Sequence, residues 1–340
     1  MESKKIIVTG GAGYIGSHTV VELFNHGFEP IIVDNFSNSE KSVLVGLREI
    51  TGRNIKLFEG DCSDPNFIND IFKVERDVAG VIHFAAYKSV GESIKFTIKY
   101  YSNNLGSLCA LLEAMEQHQV RFLVFSSSCT VYGIAKKLPV TENTPVVTPF
   151  SPYGNTKKIS EEIISQEAQN RKQLKAISLR YFNPIGAHPS AVIGELPIGV
   201  PSNLVPYITQ TVAGARNQLT VFGDDYNTPD GSCIRDYLHV VDLAKAHVKA
   251  LDYLFDQQED PYDVFNLGTG HGNSVFQIIN EFEKVVGKKV NYVVGDRRTG
   301  DVPVMYANAD KAHQFLDWRT ELSLEDALAD SWRWQEKISL

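Results

Sequence analysis

The sequence lacks any run of apolar residues long enough to span a bilayer, which takes about 18 in succession. Its first residues, Met1–Lys5, lead directly into Ile6–Val8, and this apolar stretch is too short for the core of a signal peptide. Hydrophobic residues make up 43% of the chain and charged residues 22%, which excludes a disordered or collagen-like protein. We therefore expect a folded, cytoplasmic protein that does not bind membranes.

An excess of basic residues is also lacking. The 33 lysines and arginines are outnumbered by 41 aspartates and glutamates, which gives a net charge of −8. This balance argues against nonspecific nucleic-acid binding, because that binding relies on neutralising many phosphates. A small anionic substrate is not excluded, since it needs only a few local cations.

Cysteine is scarce and scattered. The four cysteines, Cys62, Cys109, Cys129 and Cys233, form no C-x-x-C pair. They are typical of free, mostly buried thiols in a reducing compartment. No cluster of histidine and cysteine has the spacing of zinc ligands, so we expect no metal site.

The first two thirds of the chain alternate short β-branched segments with longer amphipathic ones. Helices are predicted from Tyr14 to Gly27 and around Leu105–Met115, where apolar residues recur at helical spacing. This alternation predicts an α/β fold with a doubly wound, mostly parallel Rossmann-type sheet. The predicted strands are Lys5–Thr9, Pro30–Asp34, Ile55–Glu59, Gly80–Ala85, Phe122–Ser126 and Ala176–Tyr181.

The 340 residues are enough for one large domain or two ordinary ones. After residue 182 prolines and glycines become frequent, which predicts a smaller, interleaved α/β lobe formed by 183–235 and 271–340. Residues 1–182 would form the Rossmann domain, and 236–270 would return to it. This returning segment holds a predicted strand (Tyr237–Val241), a helix (Leu243–Phe255) and a second strand (Val264–Leu267).

A glycine motif, TGGAGYIGS, joins the first predicted strand to the first predicted helix. Gly10, Gly13 and Gly16 permit a tight turn, close approach of the backbone to a diphosphate, and close packing of helix on sheet. The unpaired N–H groups of the helix N-terminus then face the phosphates. A glycine pattern alone is weak support, but its position between a strand and a helix is the one that dinucleotide binding requires.

Asp34 ends the second predicted strand, eighteen residues past Gly16. A carboxylate at this place accepts hydrogen bonds from the adenosine ribose and repels a 2′-phosphate, so the sequence predicts NAD rather than NADP. An aspartate that only forms a turn before Asn35 is the alternative. Asp61 and Cys62, after the third strand, are placed to meet the adenine, although Gly60-Asp61 also fits a plain turn.

Tyr153 and Lys157 lie one helical turn apart in the segment SPYGNTK, where Ser151 is a good N-cap and Pro152 suits the first helical position. A lysine ammonium and an oxidised nicotinamide both favour phenolate, and lowering a tyrosine pKa by about 3 units takes roughly 4 kcal/mol. Tyr153 is therefore a candidate general base. A tyrosine–lysine pair on a helix surface is the simpler alternative.

The serine run Ser126–Ser128 ends the fifth predicted strand, at the sheet edge where ligands bind in such folds. Ser128 is the member we expect to bridge Tyr153 and a reacting hydroxyl. We expect Cys129, beside it, to serve packing.

Several motifs together are similar to one family. TGGAGYIGS, SSSCTVYG and SPYGNTK resemble the extended short-chain dehydrogenase/reductase superfamily, and DNFSNS, VGES, RYFNPIGAHPS, IRDYLHVVDLA and FNLGTGHGNSV resemble its UDP-glucose (UDP-galactose) 4-epimerase family. The similarity runs along nearly the whole chain. It implies an isomerase that holds one NAD per subunit, removes hydride from C4 of a UDP-hexose and returns it to the other face of a 4-keto sugar. It also implies a homodimer, for which the Tyr100–Met115 helix is our candidate interface.

The resemblance assigns roles to individual positions. Tyr153 is implied as the acid/base, Lys157 as the group that binds the nicotinamide ribose and lowers the tyrosine pKa, and Ser128 as an aid to proton transfer. The implied cofactor contacts are Gly10, Gly13, Tyr14, Ile15, Gly16, Asp34, Asn35, Asn38, Ser39, Asp61, Cys62, Phe84, Ala85, Ala86, Lys88, Asn103, Ser128, Tyr153, Lys157 and Phe182. Ala86 replaces a glycine of some members, which we expect to be tolerated.

A sugar that must present either face cannot be held tightly, so the nucleotide must anchor the substrate. Arginine suits its two phosphates, and Arg235 and Arg298 match the family's diphosphate arginines, whereas we expect Arg297 to be exposed. The resemblance also places Phe222 near uracil and Asp301 at the uridine ribose. The implied substrate contacts are Lys88, Ser128, Tyr153, Asn183, Asn203, Leu204, Phe222, Arg235, Arg298, Asp301 and Met305.

Met305 stands where the family lines the C2 side of the sugar, and methionine is flexible and intermediate in size. We expect UDP-galactose and UDP-glucose as the main pair and leave activity on the N-acetylated sugars open. A core-filling methionine is the alternative.

Three other functions are alternatives to the epimerase. A dehydratase needs acidic residues after the threonine of the strand-end motif, but Thr130 is followed by Val131 and Tyr132. A decarboxylase needs a basic group for the sugar carboxylate and is not excluded. A catalytically silent NAD-binding protein is disfavoured because Tyr153 and Lys157 are both present.

Overall fold

The computed structural model describes residues 3–171, 173–256, 261–298 and 300–339. The strands among these residues are, in chain order, β1 (Lys5–Thr9), β2 (Glu29–Asp34), β3 (Lys56–Glu59), β4 (Val78–His83), β5 (Phe122–Ser126), β6 (Lys175–Tyr181), β7 (Asn183–Ile185), β8 (Leu219–Phe222), β9 (Ile234–Arg235), β10 (Tyr237–His239), β11 (Tyr262–Leu267), β12 (Asn273–Ser274), β13 (Tyr292–Gly295) and β14 (Val304–Met305).

The helices are numbered in chain order in the same way. They are α1 (Tyr14–Asn25), α2 (Ser42–Thr51), α3 (Pro65–Val74), α4 (Val90–Lys95), α5 (Thr97–Gln117), α6 (Pro152–Asn170), α7 (Leu204–Val212), α8 (Val240–Asp256), α9 (Val275–Val286), α10 (Asp310–Leu316) and α11 (Leu324–Ile338), with a short 3₁₀ helix at Cys129–Tyr132. Among the described residues, no helix is both long and apolar enough to cross a membrane.

A seven-stranded parallel sheet forms the centre, in the order β11-β6-β5-β4-β1-β2-β3. Successive residues of its strands point to opposite faces, as Ile6 and Ile7 do, and each belongs to a different apolar core. Helices α1, α2, α8 and α10 contribute to one core and α3, α5 and α6 to the other. The predicted doubly wound α/β fold is confirmed.

The order of the strands reverses direction beside β1. The chain runs outward from β1 through β2 to β3 and then returns to place β4 on the other side of β1. The loops that follow β1 and β4 therefore separate at their carboxyl ends, which is where open α/β sheets bind ligands.

Three small sheets lie outside the central one. They pair β7 with β10, β8 with β13, and β9 with both β12 and β14. A third apolar core, which includes Ile208, Phe282 and Trp332, joins helices α7, α9 and α11 beside these strands. Arg235 on β9 and Met305 on β14 lie at the carboxyl edge of the central sheet.

Some predicted boundaries were wrong. The fourth strand is Val78–His83 rather than Gly80–Ala85, because the chain turns after His83 to pass beside Gly10, where an added side chain would lie 2.9 Å from the backbone nitrogen of Ala85. The predicted strand Tyr237–Val241 stops at His239, and α8 begins at the next residue. His239 Nδ1 accepts a hydrogen bond from the Val241 N–H in the first turn of this helix.

The returning segment joins the central sheet through one strand only. Its second strand, β11, pairs with β6, whereas β10 pairs with β7 in a separate sheet. The four thiols are free, as expected, and Cys62 and Cys233 are buried and Cys129 is partly buried, whereas Cys109 is exposed. Cys109 lies on the outer side of α5.

Phe265 lies at the centre of β11 with no exposed surface, and its ring meets Tyr253 edge to face. We predict that Phe265→Ala lowers the free energy of unfolding by about 3–5 kcal/mol, because the change leaves a cavity in a packed core. Urea unfolding followed by circular dichroism measures the loss. Val45→Ala, at a position 68% exposed, serves as the control and should change stability by less than about 0.5 kcal/mol. Equal losses in both variants would contradict this account of the core.

Candidate active site

A cavity of about 710 Å³ opens along the carboxyl ends of the central strands. One wall comes from the loops after β1, β2, β4 and β5 and from the start of α6. The opposite wall comes from Arg235, Arg298, Asp301 and Met305. The cavity therefore joins the glycine motif to the arginines that are distant in sequence.

The cavity brings together almost all of the residues that the sequence singled out. The lining includes every predicted cofactor residue and, of the predicted substrate residues, Lys88, Ser128, Tyr153, Asn183, Asn203, Arg235, Arg298, Asp301 and Met305. Leu204 and Phe222 lie outside this lining. Leu204 begins α7 beside the third core, and Phe222 ends β8 with 45% of its surface exposed.

The glycine loop is packed too closely to accept side chains. Gly10 has a φ of +69°, and a Cβ added to Gly16 would collide with the carbonyl oxygen of Gly10. The loop is held by hydrogen bonds from the Gly10 N–H to Val33 and from the Gly13 N–H to Gly10. These contacts bring the start of α1 against the sheet and leave the backbone facing the cavity.

Helix α1 begins in this loop without a side-chain cap. Its N-cap is Gly13, and its first turn contains no acidic residue. By contrast, Ser151 caps α6 by accepting a hydrogen bond from the Gly154 N–H at 3.1 Å. The start of α1 therefore offers backbone N–H groups and positive dipole charge to an anion in the cavity, as a diphosphate would require.

Asp34 both forms a turn and lines the cavity, so the two interpretations made from the sequence are compatible. Its Oδ1 accepts hydrogen bonds from the Phe36 N–H at 2.9 Å and the Ser39 hydroxyl at 3.1 Å. Its Oδ2 accepts one from the Ala12 N–H at 3.0 Å. The carboxylate is thus fixed at the tip of β2, and it keeps acceptor capacity for hydroxyl groups.

Tyr153, Lys157 and Ser128 meet in the middle of the cavity. Tyr153 and Lys157 lie one turn apart near the start of α6, and the Tyr153 phenol shares a hydrogen bond with Ser128. The ammonium of Lys157 donates to the backbone oxygen of Ser126 at 2.6 Å and lies 4.8 Å from the centre of the Phe125 ring. The simple surface pair considered above is excluded, since Lys157 is buried.

The electrostatics of this pair differ from the expectation. Burial raises the pKa of Tyr153 well above its ordinary value, and the hydrogen bond from Ser128 opposes that rise only in part. Burial also lowers the pKa of Lys157 to about 7, while the charge of Glu161 acts in the opposite direction. On balance, the protein's own groups therefore raise the pKa of Tyr153, and the pKa of Lys157 lies close to neutral pH.

The arginine end of the cavity is organised by Asp301. Its carboxylate accepts from Arg298 at 2.7 Å and lies 3.8 Å from a terminal nitrogen of Arg235. Arg235 also donates to the backbone oxygen of Ile234. Two guanidinium groups around one carboxylate leave a net positive region that suits phosphate oxygens.

Arg297 and Arg298 are exposed to a similar degree, so the expectation that Arg297 is the more exposed was wrong. The two side chains point to different partners. Arg297 pairs with Asp225 at 2.6 Å, whereas Arg298 pairs with Asp301 and lies 5.7 Å from the Phe222 ring. Only Arg298 of these two arginines lines the cavity.

Met305 is 4% exposed and belongs to the first core while also touching the cavity. The core-filling alternative therefore fits the structure, and the role beside C2 of the sugar stays a prediction. Its side chain fills space in the core and forms part of the cavity wall.

Some residues of the site carried no recognisable motif in the sequence. One carboxylate oxygen of Glu195 accepts from Asn203 at 2.8 Å and lies 3.3 Å from the Lys88 ammonium, so it connects two predicted binding residues. Tyr181 shares a hydrogen bond with Ser126, next to the partner of Lys157. Glu161 was visible only as an acidic residue one turn after Lys157.

A metal centre is not supported by the described part of the chain, where no three histidine, cysteine, aspartate or glutamate side chains are grouped suitably.

Comparisons with known proteins agree with the resemblance that the sequence motifs indicate. Residues 7–331 match a family model described as GDP-mannose 4,6 dehydratase. The UDP-glucose 4-epimerase of Bacillus subtilis is 48% identical over 330 residues, which cover 97% of this chain and 96% of that protein. The bifunctional protein GAL10 of Pachysolen tannophilus is also 48% identical over 98% of this chain, but the chain spans about half (49%) of its length.

Solved structures show the same similarity in three dimensions. The crystal structure of UDP-glucose 4-epimerase from Bifidobacterium longum, in complex with NAD⁺ and UDP, matches with a TM-score of 0.95 and 44% identity. The match covers 98% of each chain.

Proposed function

Because the chain belongs to the UDP-glucose 4-epimerase family of the extended short-chain dehydrogenases/reductases, we propose that it interconverts UDP-galactose and UDP-glucose with NAD as its cofactor. The observation that carries the proposal is the single cavity that holds the glycine loop, the Tyr153–Lys157 pair and the two arginines. A dinucleotide, a reacting sugar and a second diphosphate each have residues of suitable chemistry there.

The residues around the glycine loop fit NAD. The tight backbone at Gly10 and Gly16 and the uncapped start of α1 suit the diphosphate, and Asp34 suits the adenosine ribose. Lys88 would approach the phosphates from the opposite side, and Lys157 would hold the nicotinamide ribose. When bound, NAD supplies reversible redox chemistry at C4 of the hexose, so that a 4-keto sugar is reduced on either face.

Tyr153 acts as the general acid/base in this proposal. Its phenolate accepts the proton of the C4 hydroxyl, with Ser128 as the bridging group, and the resulting phenol returns a proton to the oxygen of the keto sugar. Because burial raises the pKa of Tyr153, proton transfer near neutral pH needs added positive charge beside the phenol. Lys157 provides such charge only in its ammonium form.

Arg235 and Arg298 hold the UDP diphosphate, with Asp301 keeping their forks in place and accepting from the uridine ribose. Asn183 and Asn203 contact the phosphates or sugar from the facing wall. Leu204 and Phe222 lie beyond the cavity lining, and we propose that they border the uracil. Fixing the nucleotide leaves the hexose free to turn over between the two halves of the reaction.

The dehydratase alternative receives weight from the description of the matched family model. The residues after Thr130 oppose it, since Val131 and Tyr132 are both fully buried and neither carries a carboxylate. A decarboxylase would bind UDP-glucuronate, and product analysis distinguishes it. The epimerase assignment is the one that uses the residues present.

We propose a Rossmann domain of residues 1–182 with 236–270, and a UDP-sugar lobe of 183–235 with 271–340. Helices α3, α5 and α6 in the second core support the former, and α7, α9 and α11 in the third core support the latter, whereas α10 of the lobe packs in the first core with α1 and α8.

We propose that the chain forms a homodimer in the cytoplasm. The start of α5 and the residue before it expose Ile98 and Phe96, by 76% and 55%, which is the kind of surface that an interface covers. The free cysteines of the described chain fit a reducing compartment.

The function is tested by product analysis. We predict that purified protein with no added NAD converts UDP-galactose to UDP-glucose, measured by anion-exchange chromatography. A parallel sample with UDP-N-acetylgalactosamine tests Met305: conversion means that the methionine leaves room for the acetamido group. No conversion after NAD is supplied, together with consumption of UDP-glucuronate, would replace the epimerase with a decarboxylase.

Tyr153→Phe should retain NAD and lose turnover by about 10²–10⁴-fold, because the general acid/base is removed while the ring stays. The rate of UDP-glucose formation and the cofactor absorbance of the purified protein are measured together. Tyr292→Phe, on an exposed tyrosine outside the cavity, is the control. Normal turnover in Tyr153→Phe would remove Tyr153 as the base.

Arg298→Ala should weaken UDP binding by about 1.5–3 kcal/mol, the scale of a hydrogen bond to a charged group. Isothermal calorimetry with UDP measures the change. Arg297→Ala removes a neighbouring charge of similar exposure that does not line the cavity, so its UDP affinity should stay near that of the parent. Equal losses in the two variants would point to a general charge effect and contradict the anchor.

A further inference from the structure

We infer that Glu161 and Arg180 are positioning residues that hold Lys157 in place and keep its ammonium charged. The inference rests on the proposed function, since it concerns the lysine that supports Tyr153. Neither residue lines the cavity, and both act through the groups that contact Lys157.

Glu161 lies on the same helix as the reacting pair. It follows Lys157 by one turn and Tyr153 by two, so the three side chains share one face of α6. That face packs against the ends of β5 and β6, and Glu161 is only 6% exposed. A carboxylate at such depth must be paired, because an isolated buried charge is costly.

Arg180, on β6, supplies the pairing. Its guanidinium donates to both carboxylate oxygens of Glu161, from Nε at 2.9 Å and from a terminal nitrogen at 2.5 Å. A third nitrogen donates to the Tyr132 hydroxyl at 3.0 Å, which in turn donates to Asn266 at 2.7 Å. The fork is therefore fixed from two sides, and the carboxylate is fixed with it.

The pair reaches Lys157 through one peptide unit. The Ser127 hydroxyl donates to Glu161, and the preceding residue, Ser126, offers the carbonyl that accepts from Lys157. Holding Ser127 thus holds the carbonyl of Ser126. Loss of the carboxylate would release this unit and the ammonium bound to it.

Among the described residues that surround Lys157, Glu161 is the one whose negative charge acts on the ammonium. From β4 comes His83, whose pKa is lowered to about 3 by burial and by the charge of Lys157, so it is neutral. From β5 come the Phe125 ring and the serines, and from β6 come Arg180 and Tyr181, the latter protonated because burial raises its pKa to about 12. Tyr153, also protonated, completes the shell from α6.

The sign of the effect follows from these neighbours. Burial drives Lys157 towards its neutral form, and the negative charge of Glu161 opposes that change. Removing the charge lowers the pKa of Lys157, and the unpaired Arg180 would lower it further by repulsion. The active ammonium form is then lost at a lower pH.

The experiment is a pH profile of kcat for UDP-galactose conversion. We expect Glu161→Gln to retain NAD and to move the alkaline limb of the profile to lower pH by about one unit, in the direction that loss of a nearby opposite charge requires. Since Tyr153 and Lys157 both lie at the reaction centre and either can contribute to the limb, it is reported as an apparent value. Glu161→Asp keeps the charge and should keep the limb, even if its shorter side chain lowers kcat.

Glu75→Gln is the matched control. Glu75 is also buried and ion-paired, with Lys5 and Lys56, but these lysines begin β1 and β3, at the opposite edge of the sheet from the cavity. This variant should lose thermal stability while its pH profile stays that of the parent. A shift of equal size in Glu75→Gln would overturn the inference.

Two further outcomes decide the matter. A Glu161→Gln variant with reduced kcat at every pH and an unmoved alkaline limb would make the pair merely structural and overturn the inference. If Glu161→Gln does not fold, the double variant Glu161→Gln with Arg180→Met removes both buried charges and should show an acidward shift of less than about one unit, because the repulsion from an unpaired Arg180 is absent, and no shift at all would overturn the inference. Failure of the parent protein to form UDP-glucose would instead overturn the proposed function, so the two failures are distinguishable.

Discussion

Lys157 carries its ammonium group to a place that water scarcely reaches, and its position there depends on the carbonyl oxygen of Ser126. Every other part of the site is arranged around that burial. The segment at the end of β5 supplies both Ser126 and Ser128, and Ser128 forms a hydrogen bond with Tyr153. Helix α6 supplies both Tyr153 and Lys157. A buried cation needs a counter-charge within the fold, and Glu161 provides one from outside the cavity lining.

The two ends of the cavity solve different electrostatic problems. At the glycine loop, backbone N–H groups and a helix dipole face the cavity without a formal charge from the motif itself, which suits phosphate. At the far end, the carboxylate of Asp301 lies between Arg235 and Arg298 and is close to both guanidinium groups. The first arrangement suits a cofactor that stays, and the second suits a nucleotide that must arrive and leave.

Much of this site was predictable from sequence because its residues follow strands closely. The glycines follow β1, Asp34 is the last residue of β2, and Ser126–Ser128 begin with the last residue of β5, and parallel strands bring their carboxyl ends to one edge. Tyr153 and Lys157 were related by helical spacing. The position of Arg235 and Arg298 required the resemblance, since loops far apart in the chain bring them together.

Other features depend on depth, which spacing does not report. The sequence predicted that Lys157 lowers the pKa of Tyr153. Burial instead raises the pKa of Tyr153 and lowers that of Lys157, so both groups are driven towards their neutral forms. The Glu161–Arg180 pair joins a helix to a strand, and Glu195 meets Lys88 across more than a hundred residues. Pairings of this kind follow from tertiary packing and leave no periodic pattern. The end of β4 was misplaced for a similar reason, because the close passage beside Gly10 decides it.

The edge strand β11 has a consequence for how the chain is made. It completes the central sheet by pairing with β6, although residues 182–261 separate the two strands along the chain. During synthesis, β6 therefore presents an open row of backbone donors and acceptors until residues 262–267 leave the ribosome. An unpaired strand edge is a template for association with other chains, and closing so long a loop is slow. The nascent protein is thus most exposed to aggregation, and to capture by chaperones, in the interval between the synthesis of these two neighbouring strands.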